Sequence, residues 1–242
     1  QRPHRVRAYQ VRLRPGALCQ PFPFQHRIVP LDDHPARRGP LFGGQYKMID
    51  KKSAAVDVYH PQKRYGLIYT DPPWEQTKGG YRKSRPNSSG GKLDYPVMPL
   101  EEIAQFHKEV LPLLAQEYHN VFMWTIDKFL IQTENFMEEI GYVRHARIVW
   151  NKLTGMAPAY TVRFTCEYLI WFYPKGHMLF PHKDTRGKYS TIMQEAVKRH
   201  SQKPECAYRM LEDMFRQTEK IELFARKSRN LWDAWGNELF TD

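Results

Sequence analysis

The sequence predicts an α/β fold with a mainly parallel central sheet and helices on both faces. Three observations support this. Short, mostly apolar runs alternate with stretches of helical period from Met48 onward. The 242 residues, 41% of them apolar, suffice for one globular domain with a sizeable core. One apolar run, "YGLIYT", stops at the sequence Asp71-Pro72-Pro73-Trp74, and in open sheets of this class ligands bind beyond the carboxyl ends of strands.

Taken in order, residues 65–70 read as a buried strand. Residues 99–116 read as a helix: Pro99 and two glutamates open its first turn, and Ile103, Phe106, Val110 and Leu114 recur at helical spacing. A strand follows at 120–125, then a helix at 127–141 capped by Asp127 and ended by Gly141. Strands are expected at 142–150 and 165–173. A helix at 203–215 has Pro204 and Glu205 suited to its first turn, and the last strand is 220–226. No internal repeat is visible, and no apolar span approaches the roughly 18 residues of a membrane helix.

The chain divides near Met48. Residues 1–47 are rich in Arg, Pro and His, with few acids and no clear period. They read as a disordered nucleic-acid-binding arm, or as upstream sequence that is not native. An Arg-rich targeting peptide is the third reading, although the prolines argue against an amphipathic helix. Gly43-Gly44 before Met48 could be encoded by a ribosome-binding sequence. Translation is therefore expected to start naturally at Met48, with residues 48–242 forming the catalytic domain.

A formal net charge of +11 and a pI near 9.5 favour polyanionic partners, nucleic acid first. The three cysteines, Cys19, Cys166 and Cys206, are far apart and fit a reducing compartment. They lack metal-ligand spacing, and no metal is expected.

The Asp-Pro-Pro-Trp sequence has a chemistry of its own. Two prolines fix φ and lack amide hydrogens, so the segment after Asp71 is stiff and its carbonyls are left as acceptors. A carboxylate and a carbonyl held side by side can accept both hydrogens of an amino group. The Trp74 indole offers a flat face on which a base can stack, worth about 1–3 kcal/mol. The competing reading is that the prolines only end the strand and Trp74 packs in the core.

"DPPW" after such a strand resembles the catalytic motif of S-adenosylmethionine-dependent adenine-N6 methyltransferases. The resembling family includes the eukaryotic messenger-RNA adenine methyltransferase and bacterial and phage DNA adenine methyltransferases. Three later segments resemble the same family: "RHSQKPECAYRMLEDMF", "KIELFARK" and "WDAWGNEL". The resemblance covers about residues 48–240 and implies a Rossmann-like methyltransferase fold with permuted motif order, in which the catalytic motif precedes the cofactor-side segments.

It also implies roles. Asp71 and the Pro72 carbonyl would hold the target amine, with Pro73 stiffening the clamp and Trp74 stacking on adenine, and Asp71 would also contact the cofactor. Lys203 would contact the carboxylate of S-adenosyl-L-methionine, while Arg226 and Asn237 would contact its ribose and adenine. Glu238 stands where the family has Gln, and could still accept from ribose hydroxyls. An acid before the motif would grip the cofactor's adenine; Asp50 is preferred over Asp57. Lys203 as a solvated lysine and Arg226 as a surface charge are the competing readings.

The loop at 75–92 carries five Lys/Arg, one Tyr and two Gly-Gly pairs. Such a mobile basic loop suits phosphate contact and closure over substrate; Lys78, Tyr81, Arg82, Lys83 and Arg85 are its candidate nucleic-acid contacts. A second basic stretch at 173–190 adds Lys183 and Arg186 for target recognition.

The resulting expectation is methyl transfer to the N6 amine of adenine. DNA is preferred because the chain is compact, lacks the large N-terminal extensions of eukaryotic RNA enzymes and carries the bacterial-type start signal. RNA is the alternative, and a catalytically silent nucleic-acid-binding partner subunit the rival from another class. A homodimer or heterodimer is possible, no membrane is involved, and the setting is the cytoplasm of a bacterial or phage-infected cell, or the nucleus if the source is eukaryotic.

Overall fold

The computed structural model describes residues 56–75, 97–153, 162, 164–198, 202–237 and 239. The N-terminal segment 1–47, Asp50, the loop residues Lys78, Tyr81, Arg82, Lys83 and Arg85, and Glu238 lie outside the described residues.

Among the described residues, ten strands and α-helices follow one another: β1 (Tyr65–Thr70), α1 (Leu100–Leu114), β2 (Ala115–Thr125), α2 (Leu130–Glu139), β3 (Tyr142–Asn151), β4 (Cys166–Pro174), β5 (Ile192–Gln194), α3 (Glu205–Met214), β6 (Lys220–Leu223) and β7 (Asp233–Trp235). The strands form one sheet in the order β5-β3-β4-β2-β1-β6-β7. The pairings β1–β2, β1–β6, β3–β5 and β6–β7 are parallel, while β4 runs antiparallel to both β2 and β3. The sheet is thus mixed but mostly parallel, in keeping with the α/β expectation.

Strand alternation divides the core into two layers. Ile68, Val121, Met123, Ile170, Phe172, Ile221 and Leu223 face one side, where Ile103, Phe106 and Val110 of α1 and Phe136 and Met137 of α2 cover them. Leu67, Tyr69, Phe122, Trp124, Leu169 and Trp171 face the other, under Ala207, Tyr208, Met210 and Leu211 of α3. A strand buried on both faces cannot alternate apolar with polar, which is why β1 reads as a continuous apolar run.

Several boundaries differ from the sequence expectation. The first helix ends two residues early, and β2 begins at Ala115 rather than Asn120. Pro112 sits in the last turn of α1, and Arg64 Nη1 donates to the Pro112 and Ala115 carbonyls, both at 3.0 Å, so that this helix end is satisfied without further turns. The second helix is preceded by a 3₁₀ turn at Asp127–Phe129, and its side chain gives no cap. Gly141 does end the region, in the left-handed conformation at φ 94°. β6 stops at Leu223 because Phe224 turns to φ 60°, a conformation unusual outside glycine. The strands β5 and β7, three residues each, are too short to leave a readable period.

Candidate active site

The carboxyl end of β1 is the centre of the site. Thr70, its last residue, is fully buried, and its hydroxyl lies 3.0 Å from His107 Nε2 on α1. His107 Nδ1 lies 2.7 Å from the Ile103 carbonyl, so Nδ1 carries the hydrogen and Nε2 accepts from Thr70. Burial holds this imidazole neutral, with its pKa pushed down to about 4 despite the Ile103 contact. The strand end is thereby pinned to α1 through a polar pair that α1's periodicity did not reveal. The next amide, Asp71 N–H, donates to the Leu223 carbonyl of β6 at 3.4 Å.

Beyond Asp71 the prolines fold into a tight turn. Trp74 N–H donates to the Pro72 carbonyl at 2.9 Å, and Met98 N–H donates to the Pro73 carbonyl, also at 2.9 Å. The expectation that both proline carbonyls stand free is therefore corrected. Pro73 is used to hold the chain returning at Met98, and Pro72 keeps one lone pair beyond its bond to Trp74.

Trp74 also departs from its expected role. It is only 4% exposed, its ring stacks on Phe129 with centroids 5.2 Å apart, and its Nε1 donates to the Trp124 carbonyl at 3.0 Å. The indole serves the core, and the flat face expected to receive a base is turned inward. The physical reason is that an anchored N–H and a ring-covered face satisfy both halves of an amphipathic side chain.

The electrostatics of the site come from four side chains on four segments. Lys203, just before α3, places Nζ 2.9 Å from Asp71 Oδ1 and 2.9 Å from Glu167 Oε2 of β4. Lys152, following β3, contacts the other oxygen of Glu167. Lys203 also lies over the Trp124 ring, 5.3 Å from its centroid. Charges alternate along Asp71–Lys203–Glu167–Lys152, which is what permits them to be buried together. Burial opposes the Lys203 charge, but the Asp71 and Glu167 carboxylates outweigh it and hold the ammonium above the ordinary lysine range. Burial likewise opposes the Glu167 charge, and Lys203 and Lys152 pull its carboxyl below the usual range. Asp71 moves the other way: burial pushes its carboxyl up, against the pull of Lys203 and with repulsion from Glu167.

Lys203 was expected to hold the cofactor's carboxylate. In the structure its ammonium pairs with Asp71 and Glu167, which orients Asp71 and leaves a third hydrogen to donate. Sequence reasoning missed Glu167 and Lys152. The available signal was an acid inside the otherwise apolar run "CEYLIWFY".

Lys203 is held in place by an unusual helix start. Pro204 is the N-cap of α3 and supplies no side-chain cap. The Glu195 carboxylate replaces it, accepting from Glu205 N–H at 3.0 Å and Cys206 N–H at 2.9 Å.

Two further residues expected at the cofactor, Arg226 and Asn237, follow strands that end on this side of the sheet. Arg226 follows β6, is partly buried, and is close enough to Asp71 to draw its pKa down. Asn237 follows β7 and is exposed. A Cβ on Gly236 would lie 2.1 Å from the Ala225 carbonyl oxygen, so only glycine lets the exits of β6 and β7 cross closely enough to bring these two segments together. An acid, a guanidinium and a carboxamide at the strand ends fit the charged amino-acid and ribose parts of S-adenosylmethionine.

Lys183 and Arg186 are not part of this cluster. His182 N–H donates to the carbonyl of Met214, the last residue of α3, whereas Lys203 precedes the first. Ten helical residues, about 15 Å, separate the two levels. Both side chains are exposed near the amino ends of the parallel strands, where Asp184 pairs with Arg216 at 2.9 Å.

The chain is 31% identical over 194 residues to the type II methyltransferase M.MunI of Mycoplasma sp, covering 74% of this chain and 79% of that protein. It is 25% identical over 201 residues to an N(6)-adenosine-methyltransferase MT-A70-like protein of Arabidopsis thaliana, covering 81% of this chain and 26% of that protein. With the human N(6)-adenosine-methyltransferase catalytic subunit METTL3 it shares 23% identity over 206 residues, 82% of this chain and 32% of the relative. The chain thus spans about a third or less of these two eukaryotic relatives. Residues 65–238, from the first residue of β1 past the end of β7, match the MT-A70 family, and the chain belongs to that family as an S-adenosyl-L-methionine-dependent adenine N6-methyltransferase.

Proposed function

We propose that the nucleic acid methylated is DNA. The observation that carries this reading is the likeness to a type II methyltransferase at 31% identity over 79% of that protein's length, against 32% of the length of METTL3. The net charge of +11 supports a polyanionic substrate of either kind.

S-adenosylmethionine, when bound, supplies an electrophilic methyl group on a sulfonium. The protein's part is to present the amine. Asp71 and the remaining lone pair of the Pro72 carbonyl accept the two N6 hydrogens, which draws the nitrogen towards tetrahedral geometry and frees its lone pair from the ring. Pro72 and Pro73 keep the acceptors in place, so they need no reorganisation during reaction. Lys203 fixes the carboxylate at 2.9 Å and keeps its charge in a buried setting. The work is positioning and electrostatics rather than strong-base chemistry. In a duplex the adenine must first leave the stack, and loop residues Lys78, Tyr81, Arg82, Lys83 and Arg85 are proposed to grip the backbone as it does. The cytoplasm of a bacterial or phage-infected cell is the corresponding setting, and a dimer, with itself or a related chain, is compatible with this role.

The test is transfer of labelled methyl to matched DNA and RNA of the same sequence, with the modified adenines mapped. Preferential labelling of DNA is the expected result. Preferential labelling of RNA would replace the substrate and leave the reaction unchanged.

A further inference from the structure

A second buried carboxylate lies beside Asp71 and takes no part in the ion-pair chain. Glu222 of β6 pairs in register with Tyr69 of β1, two residues before Asp71. Paired strands lie about 4.8 Å apart, so both acids occupy the same layer of the sheet. Glu222 is buried, and Tyr208 Oη of α3 donates to its Oε1 at 2.8 Å. Tyr69 and Tyr208 pack together, 4.9 Å between ring centroids, and Trp124 Nε1 donates to the Tyr69 hydroxyl.

The charges that face Glu222 come from each element around it. From β1 there is Asp71, which repels it; from α3 the neutral phenol of Tyr208; from the segment after β6, Lys227 and Arg229. Arg229 is committed elsewhere, with Nη2 2.6 Å from Glu205 Oε2 and its guanidinium 3.8 Å over the Tyr208 ring. Asp71 and Glu167 each have a lysine partner, whereas the direct partner of Glu222 is a phenol.

We propose that Glu222 is a specificity residue for the charge of the cofactor, its anion favouring the sulfonium of S-adenosylmethionine over the thioether of the demethylated product. The two molecules differ by one methyl group and one positive charge. A carboxylate whose direct partner among the described residues is neutral, at the end of the sheet where the cofactor binds, senses that charge. A site that loses its attraction once the methyl group has left also releases product. The inference rests on the cofactor assignment and is independent of whether the acceptor is DNA or RNA.

Protonation provides the handle. Burial pushes the Glu222 carboxyl up to about 7, against the hydrogen bond from Tyr208 and with Asp71 adding to the rise. The anion therefore prevails above that pH and is lost below it, and cofactor affinity should follow in the same direction. Asp71 also sits above the ordinary range, but its Lys203 partner is the same in wild type and in a Glu222 variant.

The experiment is calorimetric titration of the full chain with S-adenosylmethionine and with S-adenosylhomocysteine between about pH 5.5 and 7.5, the α-amino group common to both ligands cancelling in the comparison. For wild type, affinity for the sulfonium should fall by about tenfold across this window as pH drops, with the thioether changing much less. Glu222→Gln should flatten the difference and bring the two affinities together. Tyr208→Phe, which removes the donor that stabilises the anion, should move the midpoint to higher pH. Thermal melting of each variant is followed in parallel, and if Glu222→Gln does not fold, the Tyr208→Phe midpoint decides. A wild-type pH profile and affinity ratio in Glu222→Gln, or an unmoved midpoint in Tyr208→Phe, would overturn the proposal.

Discussion

Lys203 Nζ lies 2.9 Å from Asp71 Oδ1, and the lysine side chain is only 11% exposed. Asp71 is therefore carried by two supports: β1, which fixes its backbone, and a lysine before α3, which fixes its carboxylate. That pairing explains how a carboxylate stays buried beside a second acid, Glu167, 2.9 Å from the same ammonium.

Asp71→Ala removes the acceptor for one amine hydrogen. Labelled methyl transfer should fall by about 100- to 1000-fold, the usual cost of losing one preorganised contact. S-adenosylmethionine binding, measured separately by calorimetry, should change far less. Turnover within a few-fold of wild type would remove Asp71 from the reaction.

Lys203→Met leaves Asp71 and Glu167 close together without their shared cation. Breaking a buried pair of this kind costs about 3–5 kcal/mol, read as a lower midpoint in urea denaturation. A partial recovery is expected in Lys203→Met/Asp71→Asn, because Asp71 is the carboxylate left without a direct cation, whereas Glu167 keeps Lys152. Equal stability of the single and double variants would show that the Asp71 charge does not depend on Lys203.

Trp74→Ala should act on stability before it acts on base binding. The ring is buried against Phe129 and its N–H is bonded at 3.0 Å. Truncation of such a side chain costs about 3–5 kcal/mol. Trp74→Phe should keep much of the packing but lose the bond to the Trp124 carbonyl. A near-normal melting curve for Trp74→Ala, together with weakened adenine binding, would restore the stacking role.

Gly236→Ala places a Cβ 2.1 Å from the Ala225 carbonyl oxygen, a backbone atom that cannot swing aside. Crowding of this order costs about 1–3 kcal/mol, and separation of the β6 and β7 exits should weaken S-adenosylmethionine binding as well. Calorimetry and thermal melting on the same sample check both effects.

Glu222 and His107 bend the stability profile in opposite directions. His107 has a folded pKa of about 4 against an ordinary 6.5, so its contribution is present above pH 6.5 and lost as pH falls through 4. Glu222, raised from 4.5 to about 7, contributes below pH 4.5 and loses that contribution as pH rises through 7. Glu222→Gln should therefore gain about 3 kcal/mol relative to wild type at pH 8, compared with pH 4, in denaturant titrations at the two values. A pH-independent difference would contradict the buried position of the carboxyl.

How much of this was legible beforehand depends on whether a feature is local. β1 was read to the residue because a strand buried on both faces writes a continuous apolar run. The ends of α1 and β6 were misread because they depend on partners distant in sequence: Arg64 closes α1, and the positive φ of Phe224 ends β6. The same holds within the site. The "DPPW" sequence marked Asp71 by itself, since two prolines and an acid after a strand are a local signal.

The amino-acid sequence alone determined the alternation of strands and helices, the position of Asp71 at a strand end and the family resemblance, all of which lie in contiguous residues. Tertiary structure alone decided that Trp74 faces the core, that Glu167 and Lys152 join Lys203 around Asp71, that Glu222 sits beside them, and that Lys183 and Arg186 lie at the other end of the sheet. The reason is physical: burial and charge pairing are set by which strands become neighbours, and the order β5-β3-β4-β2-β1-β6-β7 brings together residues far apart in the chain.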